Sequence, residues 1–596
     1  MKFFVFQKRF MKFILMILFL FSFTCAPTLT QNNLCDPTSS ISKLNILLGL
    51  LTKDKIPYCG IKFYPANAPA SISNLKTNSV VETGFVLGTA PAGVNSVELS
   101  IDGGGYQTVT GTTSWKFKLP TGSSTWRDSS KHTISVRTVT NGYLISPYSD
   151  VTTITVRKGQ NKDVNGDGYA DLMVSAYGHS LGGRAYIFHS QGSSGIASVN
   201  PGVANTILTS ESTSNSFGYA ISSGDFNGDG YADVVVTADQ YTSYTGRVYI
   251  FHSKGEAGIA TQFATAANTT ITGDTTFDFF GDYVTVGDIN GDGYTDLVVG
   301  SPAYAPNGKL HIFHSSGSTG VANAVANAAN TVLTGETSSG FGTVNSTADI
   351  NGDGYADIIA GAFGYNTSQG RLYIFYSRGN TGIATQNVTS TGANVTFTGE
   401  ATSTAFGRSS SVADINGDGY LDLVIGAEAY SSNTGRAYIF YSPGSSGFVS
   451  LNALAANVTL TGEASSKFGF SSLCIDNSLD GYPDCIISGY DYNSSQGRVY
   501  FFPSTSSSGF VSGSSTSAKI IYNGETTSNQ CGYATGTGDF NGDGYPDLVI
   551  GAPQFNSIQG KVYIIHSNNT TTSVTSSNTI LTGENINDRL GIAIPK

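Results

Sequence analysis

From residue 158 to the C-terminus, short apolar runs alternate with polar, glycine-rich stretches at a regular pitch. A Phe-Gly step opens each unit, as at Phe217-Gly218, Phe280-Gly281, Phe341-Gly342, Phe406-Gly407 and Phe468-Gly469, with the variant Cys531-Gly532. A buried-type run follows, such as Val234-Val235-Val236 or Leu548-Val549-Ile550, and several of these runs end in a Gly-Ala-Pro-like step. Next come a glycine, a basic residue and an aromatic strand, as in Gly246-Arg247-Val248-Tyr249-Ile250-Phe251. A last strand ends in Thr-Gly-Glu or a close variant, as at Thr334-Gly335-Glu336. That predicts four short strands per unit with no helical period between them. Four-stranded sheets copied in tandem are the sequence signature of a β-propeller.

Between the first and second strands of each unit lies an aspartate-rich loop, D-x-[N/S]-x-D-G-Y-x-D. Its seven copies begin at Asp163, Asp225, Asp288, Asp349, Asp414, Asp476 and Asp539, spaced 62, 63, 61, 65, 62 and 63 residues apart. Positions 1, 3, 5, 7 and 9 of a tight turn point inward, so their oxygens can converge on one ion. The predicted donors are Asp163, Asn165, Asp167, Tyr169 and Asp171 in the first loop, and Asp225, Asn227, Asp229, Tyr231 and Asp233 in the second. The third offers Asp288, Asn290, Asp292, Tyr294 and Asp296, and the fourth Asp349, Asn351, Asp353, Tyr355 and Asp357. The fifth has Asp414, Asn416, Asp418, Tyr420 and Asp422, and the seventh Asp539, Asn541, Asp543, Tyr545 and Asp547. The sixth departs most: Asp476, Ser478, Asp480, Tyr482 and Asp484, with Leu479 in place of the usual position-4 glycine. Each tyrosine would contribute only its carbonyl. Three carboxylates in one turn repel one another, and a hard cation with six to eight oxygen ligands relieves that repulsion; Mg²⁺ prefers a smaller octahedron and keeps its waters. The expectation is up to seven Ca²⁺, one per loop. The loops resemble the start of an EF-hand, but position 12 is Val174, Val236 and Val299 in the first three copies, and the flanks are strands.

Together the Phe-Gly step, the aspartate loop and the Gly-Ala-Pro step resemble the FG-GAP repeat family, best known from the heads of integrin α subunits. The resemblance implies an all-β, seven-bladed propeller over residues 158–596. The chain ends fit ring closure: no Phe-Gly strand precedes the first loop, where Val156 stands in the glycine's place, and Leu590-Gly591-Ile592 supplies an extra one at the end. Such a clasp leaves few open sheet edges.

The first 157 residues break the repeat. Residues 1–24 read as an export signal, with Lys2, Lys8, Arg9 and Lys12 before the apolar stretch Phe13–Phe23. Cys25 follows in a context that resembles a bacterial lipoprotein acylation site, although Thr24 and Ser22 depart from the usual pattern. Residues 25–71 would form a tether, with Cys35 and Cys59 paired in an oxidising compartment. Cys474 and Cys485 flank the sixth loop, as a bridge or as two buried thiols, and Cys531 reads as an unpaired core residue. Residues 72–157 resemble a bacterial immunoglobulin-like sandwich, with strands expected at Val80–Leu87, Val97–Ile101, Trp115–Leu119, Lys131–Val139 and Val151–Val156, acting as a spacer.

Charge fits the metal reading. The formal charge is −11, and the loops hold half of the 42 acidic residues. Loss of residues 1–24 and uptake of seven Ca²⁺ would leave the chain almost neutral, and no basic stripe points to nucleic acid. Catalysis would need a constellation out of step with the repeat. His189, His252, His314 and His566 all follow the aromatic strand at one repeat position, held by Tyr376, Tyr441 and Pro503 elsewhere, which marks it as a packing position. No P-loop, G-x-S-x-G, H-E-x-x-H or C-x-x-C motif is present. The expected function is a calcium-binding, cell-surface binding or adhesion module, tethered to the bacterial envelope by a lipid anchor. Its ligand would be a protein or glycan of the extracellular matrix or a cell surface. The alternative is a carbohydrate-binding lectin or a polysaccharide lyase-like protein.

Overall fold

The computed structural model describes residues 69–596 except 82–83, 121–125, 127–129, 141–143, 147–148, 157–161, 389–391, 505–506 and 568–570. The export segment, Cys25 and the Cys35–Cys59 pair lie outside the described residues. Among the described residues no helix is long and apolar enough to cross a membrane.

Residues 163–596 form seven successive sheets of four or five strands. The second sheet shows the plan. Phe217–Gly224, Asp233–Ala238, Arg247–Phe251 and Thr269–Thr272 pair antiparallel in chain order, and Ala324–Val325 from the next-but-one linker adds a short parallel edge. Every residue of Asp233–Ala238 is buried, because this strand has a neighbouring sheet on each face, which explains its unbroken apolar run. The Phe of the Phe-Gly step packs edge-on against the tyrosine of the aromatic strand, as Phe217 does on Tyr249 at 5.4 Å and Phe406 on Tyr438 at 5.4 Å; in the third sheet Phe280 meets His311 instead, at 5.3 Å. The glycine before the basic residue lets adjacent sheets touch: a Cβ on Gly246 would lie 2.0 Å from the Phe280 carbonyl oxygen.

The same contacts that join consecutive sheets also join the last sheet to the first. At the inner strands, Gly591 N–H donates to Ser175 O at 3.0 Å and Ser175 N–H to Ala593 O at 3.2 Å. The C-terminal segment therefore fills the inner position that the first sheet lacks. At the outer rim Ile580 N–H donates to Ser198 Oγ at 3.0 Å. One apolar core includes Leu172 and Val174 of the first sheet with Leu581, Leu590 and Ile594 of the chain end. The seven sheets close into a ring, a propeller-like arrangement in which the inner strands surround a central channel.

A ring of ion pairs ties the sheets on the face opposite the aspartate loops. In six of the seven sheets the basic residue of the aromatic strand reaches the glutamate that ends the preceding sheet, as Arg371 does to Glu336 at 2.7 Å, Arg498 to Glu463 at 2.7 Å and Lys561 to Glu525 at 2.7 Å; Lys309, with Asp274 in the glutamate's place, is not among them. Arg184 to Glu584, at 2.8 Å, closes the circle. From the second sheet to the seventh the basic residue also lies over the aromatic residue that opens the adjacent tight turn, as Arg371 does over Tyr365 at 3.7 Å.

Before the ring, two sheets face each other around Val86, Trp115, Val97, Leu99, Ile134 and Val136. The strand expected over Val80–Leu87 is two strands in two different sheets. Val80–Val81 pairs parallel with the strand Ser149–Val156, whereas Phe85–Thr89 pairs with Ser114–Lys118. A positive φ of 99° at Gly84 turns the chain between them. This sandwich does not hang free as a spacer. It is seated on the aspartate-loop face, with Asn74 Nδ2 donating to Gly168 O at 3.3 Å, Lys118 Nζ to Gly228 O at 3.1 Å and Asn78 Nδ2 to Leu479 O at 3.1 Å. Lys76 Nζ lies 3.9 Å from the centre of the Tyr545 ring, and Phe85 packs edge-on against Tyr231.

Removal of Leu590–Lys596 should open the ring by exposing the inner edge of the first sheet. The expected result is a calorimetric melting temperature lower by about 5 °C or more, given the several apolar side chains lost from the core. An unchanged melting curve would contradict closure by this segment.

Candidate metal-binding loops

Each loop folds its polar side chains back onto its own backbone. The position-1 aspartate accepts from the position-6 glycine N–H in all seven copies, at 2.7 Å for Asp163 and Gly168 and 2.8 Å for Asp476 and Gly481. The position-5 aspartate accepts from the position-7 tyrosine N–H, as Asp229 does from Tyr231 at 2.9 Å. In six loops the position-3 asparagine amide donates to the position-5 carboxylate, as Asn290 does to Asp292 at 2.9 Å. Ser478 makes no such bond in the sixth. Sequence reasoning placed donors at alternate positions, and the turn brings positions 1, 3 and 5 together on one side.

The ninth-position aspartate has a second task that sequence alone did not reveal. Asp233 accepts from Phe226 N–H at 3.1 Å and from Ser253 N–H at 2.8 Å, bridging the start of its loop to the end of the aromatic strand. Asp171, Asp296, Asp357, Asp422 and Asp547 make the same two bonds, and Asp484 keeps the strand-end bond to Ser504. These carboxylates are sealed from solvent: Asp233, Asp296, Asp357, Asp422 and Asp547 are 0% exposed. Burial raises the pKa of each of the seven, with the other loop carboxylates adding repulsion. Asp163 is pushed up to about 7, by desolvation first and then by Asp167.

Among the described residues no three acidic, His or Cys side chains form a ready-made metal cluster. The donor set fits an ion in another way, because Asn or Ser oxygens and the tyrosine carbonyl supplement the carboxylates. Asp414 Oδ1 is a buried carboxylate oxygen with no hydrogen-bond partner. An all-oxygen set with acids crowded in one turn suits a hard divalent cation.

Neighbouring loops are linked in series. The tyrosine of one loop covers the position-4 glycine of the loop before it: a Cβ on Gly166 would meet Tyr231 at 2.2 Å, on Gly228 Tyr294 at 2.4 Å and on Gly542 Tyr169 at 2.0 Å. The last of these again joins the seventh sheet to the first. Ser253 Oγ donates to Val164 O at 2.6 Å, Ser315 Oγ to Phe226 O at 2.7 Å and Ser190 Oγ to Phe540 O at 2.7 Å, and Ser377 and Ser504 do likewise, so five strand ends hold the previous loop. The series weakens in two places. Nothing packs on Gly352, and Leu479 takes the glycine's place with φ of 54°.

The repeated histidines stand beside these carboxylates. His314 Nδ1 is 2.9 Å from Asp296 Oδ2, and His252 Nε2 is 3.9 Å from Asp233 Oδ2. The backbone N–H groups of His189, His252, His314 and His566 each donate to an asparagine Oδ1, a repeat-wide packing role. Cys474 and Cys485 are directly opposed across the hairpin of the sixth loop and are joined in a disulfide. Cys531 is a buried free thiol in the position that Phe holds in other copies.

Comparison with known proteins agrees with the repeat reading. The FG-GAP repeat model matches residues 217–251, 280–313, 341–375, 406–440 and 532–565, within the second to fifth and the seventh sheets. The chain is 30% identical to human phosphatidylinositol-glycan-specific phospholipase D over 313 residues, 47% of this chain and 36% of that protein. It is 32% identical to Drosophila melanogaster integrin alpha-PS3 over 221 residues, 35% of this chain and 18% of the integrin. The match thus spans about a third or less of either relative. Among solved structures, the Dos1 propeller aligns at 10% identity and a TM-score of 0.23, over 63% of this chain and 84% of its own; so low a score carries no argument.

Two substitutions should act in opposite directions. Gly291→Ala combines φ of 71° with a Cβ placed 2.2 Å from Tyr355, and should cost about 2 kcal/mol or more. Leu479→Gly removes a left-handed leucine and should stabilise by about 0.5–1 kcal/mol after the glycine's greater unfolded-chain entropy is counted. Denaturant unfolding of both variants checks the signs.

Proposed function

We propose that the chain is a non-catalytic binding module, a seven-bladed FG-GAP propeller carrying an immunoglobulin-like sandwich at 72–157 and displayed outside the cell. One Ca²⁺ would be held in each loop by the position-1, 3, 5 and 9 side chains and the position-7 tyrosine carbonyl. Bound calcium would supply charge neutralisation and coordinate bonds that fix the turn. The chain's own residues do the rest: the ninth-position aspartates brace loop to strand, the tyrosines chain loop to loop, and the ion pairs lock the opposite face. The observation that carries this reading is that the repeated carboxylates all serve the scaffold. The repeated histidines serve it as well. Attachment at Cys25 and the Cys35–Cys59 bridge in the tether 25–71 belong to the same proposal, as does the integrin-like, extracellular setting.

The sandwich covers much of the aspartate-loop face, so recognition of a protein or glycan falls to the opposite face. A pull-down of the mature chain against matrix proteins and glycans should retain a partner with calcium present and lose it with chelator. Retention that ignores calcium would contradict a role for the loops in holding the binding face. The double substitution Asp288→Ala with Asp292→Ala should lower the ion count by one in native mass spectrometry and leave the fold intact.

The phospholipase relatives favour a second reading, catalysis on a lipid-linked glycan. Against it, the matched region is 36% of that enzyme, and four of the seven histidines of this chain stand at one repeated packing position. Release of a glycosylphosphatidylinositol-anchored reporter by the purified chain would support the second reading and overturn the first.

A further inference from the structure

The residue that follows each Phe-Gly step stands at one repeat position, at the inner strand's start on the face opposite the loops. A scaffold position would repeat its chemistry there, yet the six copies read Tyr219, Asp282, Thr343, Arg408, Phe470 and Tyr533. The position just after each second strand is equally varied, with Tyr177, Asp239, Glu428 and Tyr490 among its occupants. Ring closure gathers these two sets at the channel mouth. This is the constellation out of step with the repeat.

The channel holds a cavity of about 680 Å³, within the range of roughly 300–1,000 Å³ for small-molecule sites. At the loop end it is lined by Asn78, Val80, Lys131 and Thr155 of the sandwich, which form its floor. At the mouth, Phe470 packs against Tyr490 at 4.4 Å and Tyr533 at 4.9 Å, and Tyr177 against Tyr219 at 5.5 Å, giving two aromatic walls. Between them Asp282 lines the cavity, and its Oδ1 is a buried oxygen without a hydrogen-bond partner; Asp239 Oδ1 and Glu428 Oε2 are also buried and unpartnered but are not among the lining side chains. Asp239 is only 2% exposed. Unpaired buried oxygens are costly, and they are found where a ligand completes them.

The chemistry of that ligand follows from what the mouth already contains. Arg408 lies 4.7 Å over Phe363 and 5.6 Å over Phe470, with its Nε 3.7 Å from Glu428, so the chain's own guanidinium fills the cation position on the aromatic wall. Lys467 Nζ donates to Tyr490 OH at 2.8 Å, and Arg589 lies over Tyr177 at 5.5 Å. Acidic and cationic side chains thus share the mouth, which offers both acceptors and donors. Burial raises Asp282 to about 7, so it can donate as well as accept near neutral pH. Apolar ring faces beside mixed donors and acceptors match a pyranose, whose C–H face stacks and whose hydroxyls both donate and accept.

We propose that this channel mouth is a binding pocket for a neutral saccharide, with Tyr219, Phe470 and Tyr533 as stacking faces and Asp282 as a hydroxyl partner. The proposal rests on the reading of the chain as a non-catalytic binding module and names its ligand class and site. The test uses the full mature chain in calcium buffer on an array of neutral oligosaccharides, then calorimetric titration of the strongest ligand. Binding should be retained on the array. Tyr533→Ala, and the near-isosteric Asp282→Asn, should each weaken it at least tenfold with an unchanged melting curve. No retained glycan, or binding indifferent to both substitutions, would overturn the proposal. Capture of an arginine-rich peptide in place of sugars, lost in Asp282→Asn, would also overturn it and assign the mouth to a cationic partner. A calcium-dependent protein partner with no glycan binding would leave the module reading standing and remove this one alone.

Discussion

A carboxylate sealed from water and met by little more than backbone amide hydrogens is poorly compensated, and this chain builds a buried carboxylate of that kind into every unit. The ninth-position aspartates hold loop to strand through bonds of about 3 Å, yet their burial drives each toward protonation. With the first and fifth positions close by, each loop concentrates negative charge where the sheets must meet their neighbours. The geometry of the ring depends on how that charge is balanced. A divalent cation in the turn would balance it without removing the bonds that brace the strand.

Closure then follows from repetition. Contacts made between consecutive sheets are made again between seven and one, at the inner strands, the loops, the ion pairs and the outer rim. A closed ring leaves no inner edge for stray pairing. It also brings residues from six units to one place, which an open array would not do. The docked sandwich makes the two faces unequal: one carries the loops and their cap, the other the channel mouth.

Much of this was legible in the chain itself. The pitch of the Phe-Gly steps and aspartate loops gave the strands, and the surplus segment at Leu590–Ile592 gave the clasp. Cys474 and Cys485 stood where a hairpin bridge would form, although spacing alone left the thiol state open. The Arg–Glu ring was present as two separate motifs, Gly-Arg and Thr-Gly-Glu, some 35 residues apart as in Arg371 and Glu336. Only the stacking of sheet on sheet reveals that they pair. Val80–Leu87 looked continuous because both halves are apolar, and the turn at Gly84 divides them. The docking of the sandwich had no local signal, since Asn74, Lys76, Asn78 and Lys118 are ordinary surface residues until the loops meet them. The mouth was hidden for the same reason: Tyr219, Asp282 and Tyr533 are strangers in sequence.

The central claim is that loop carboxylates hold the ring through bound cations, and melting with and without divalent ions tests it most directly. Calorimetry of the full mature chain in calcium and after exhaustive chelation should show a fall of about 10 °C or more, reversed when calcium is restored, because ligand bound only to the folded state stabilises it by mass action. Identical melting in the two conditions would show that the loops stand without metal and would contradict the account.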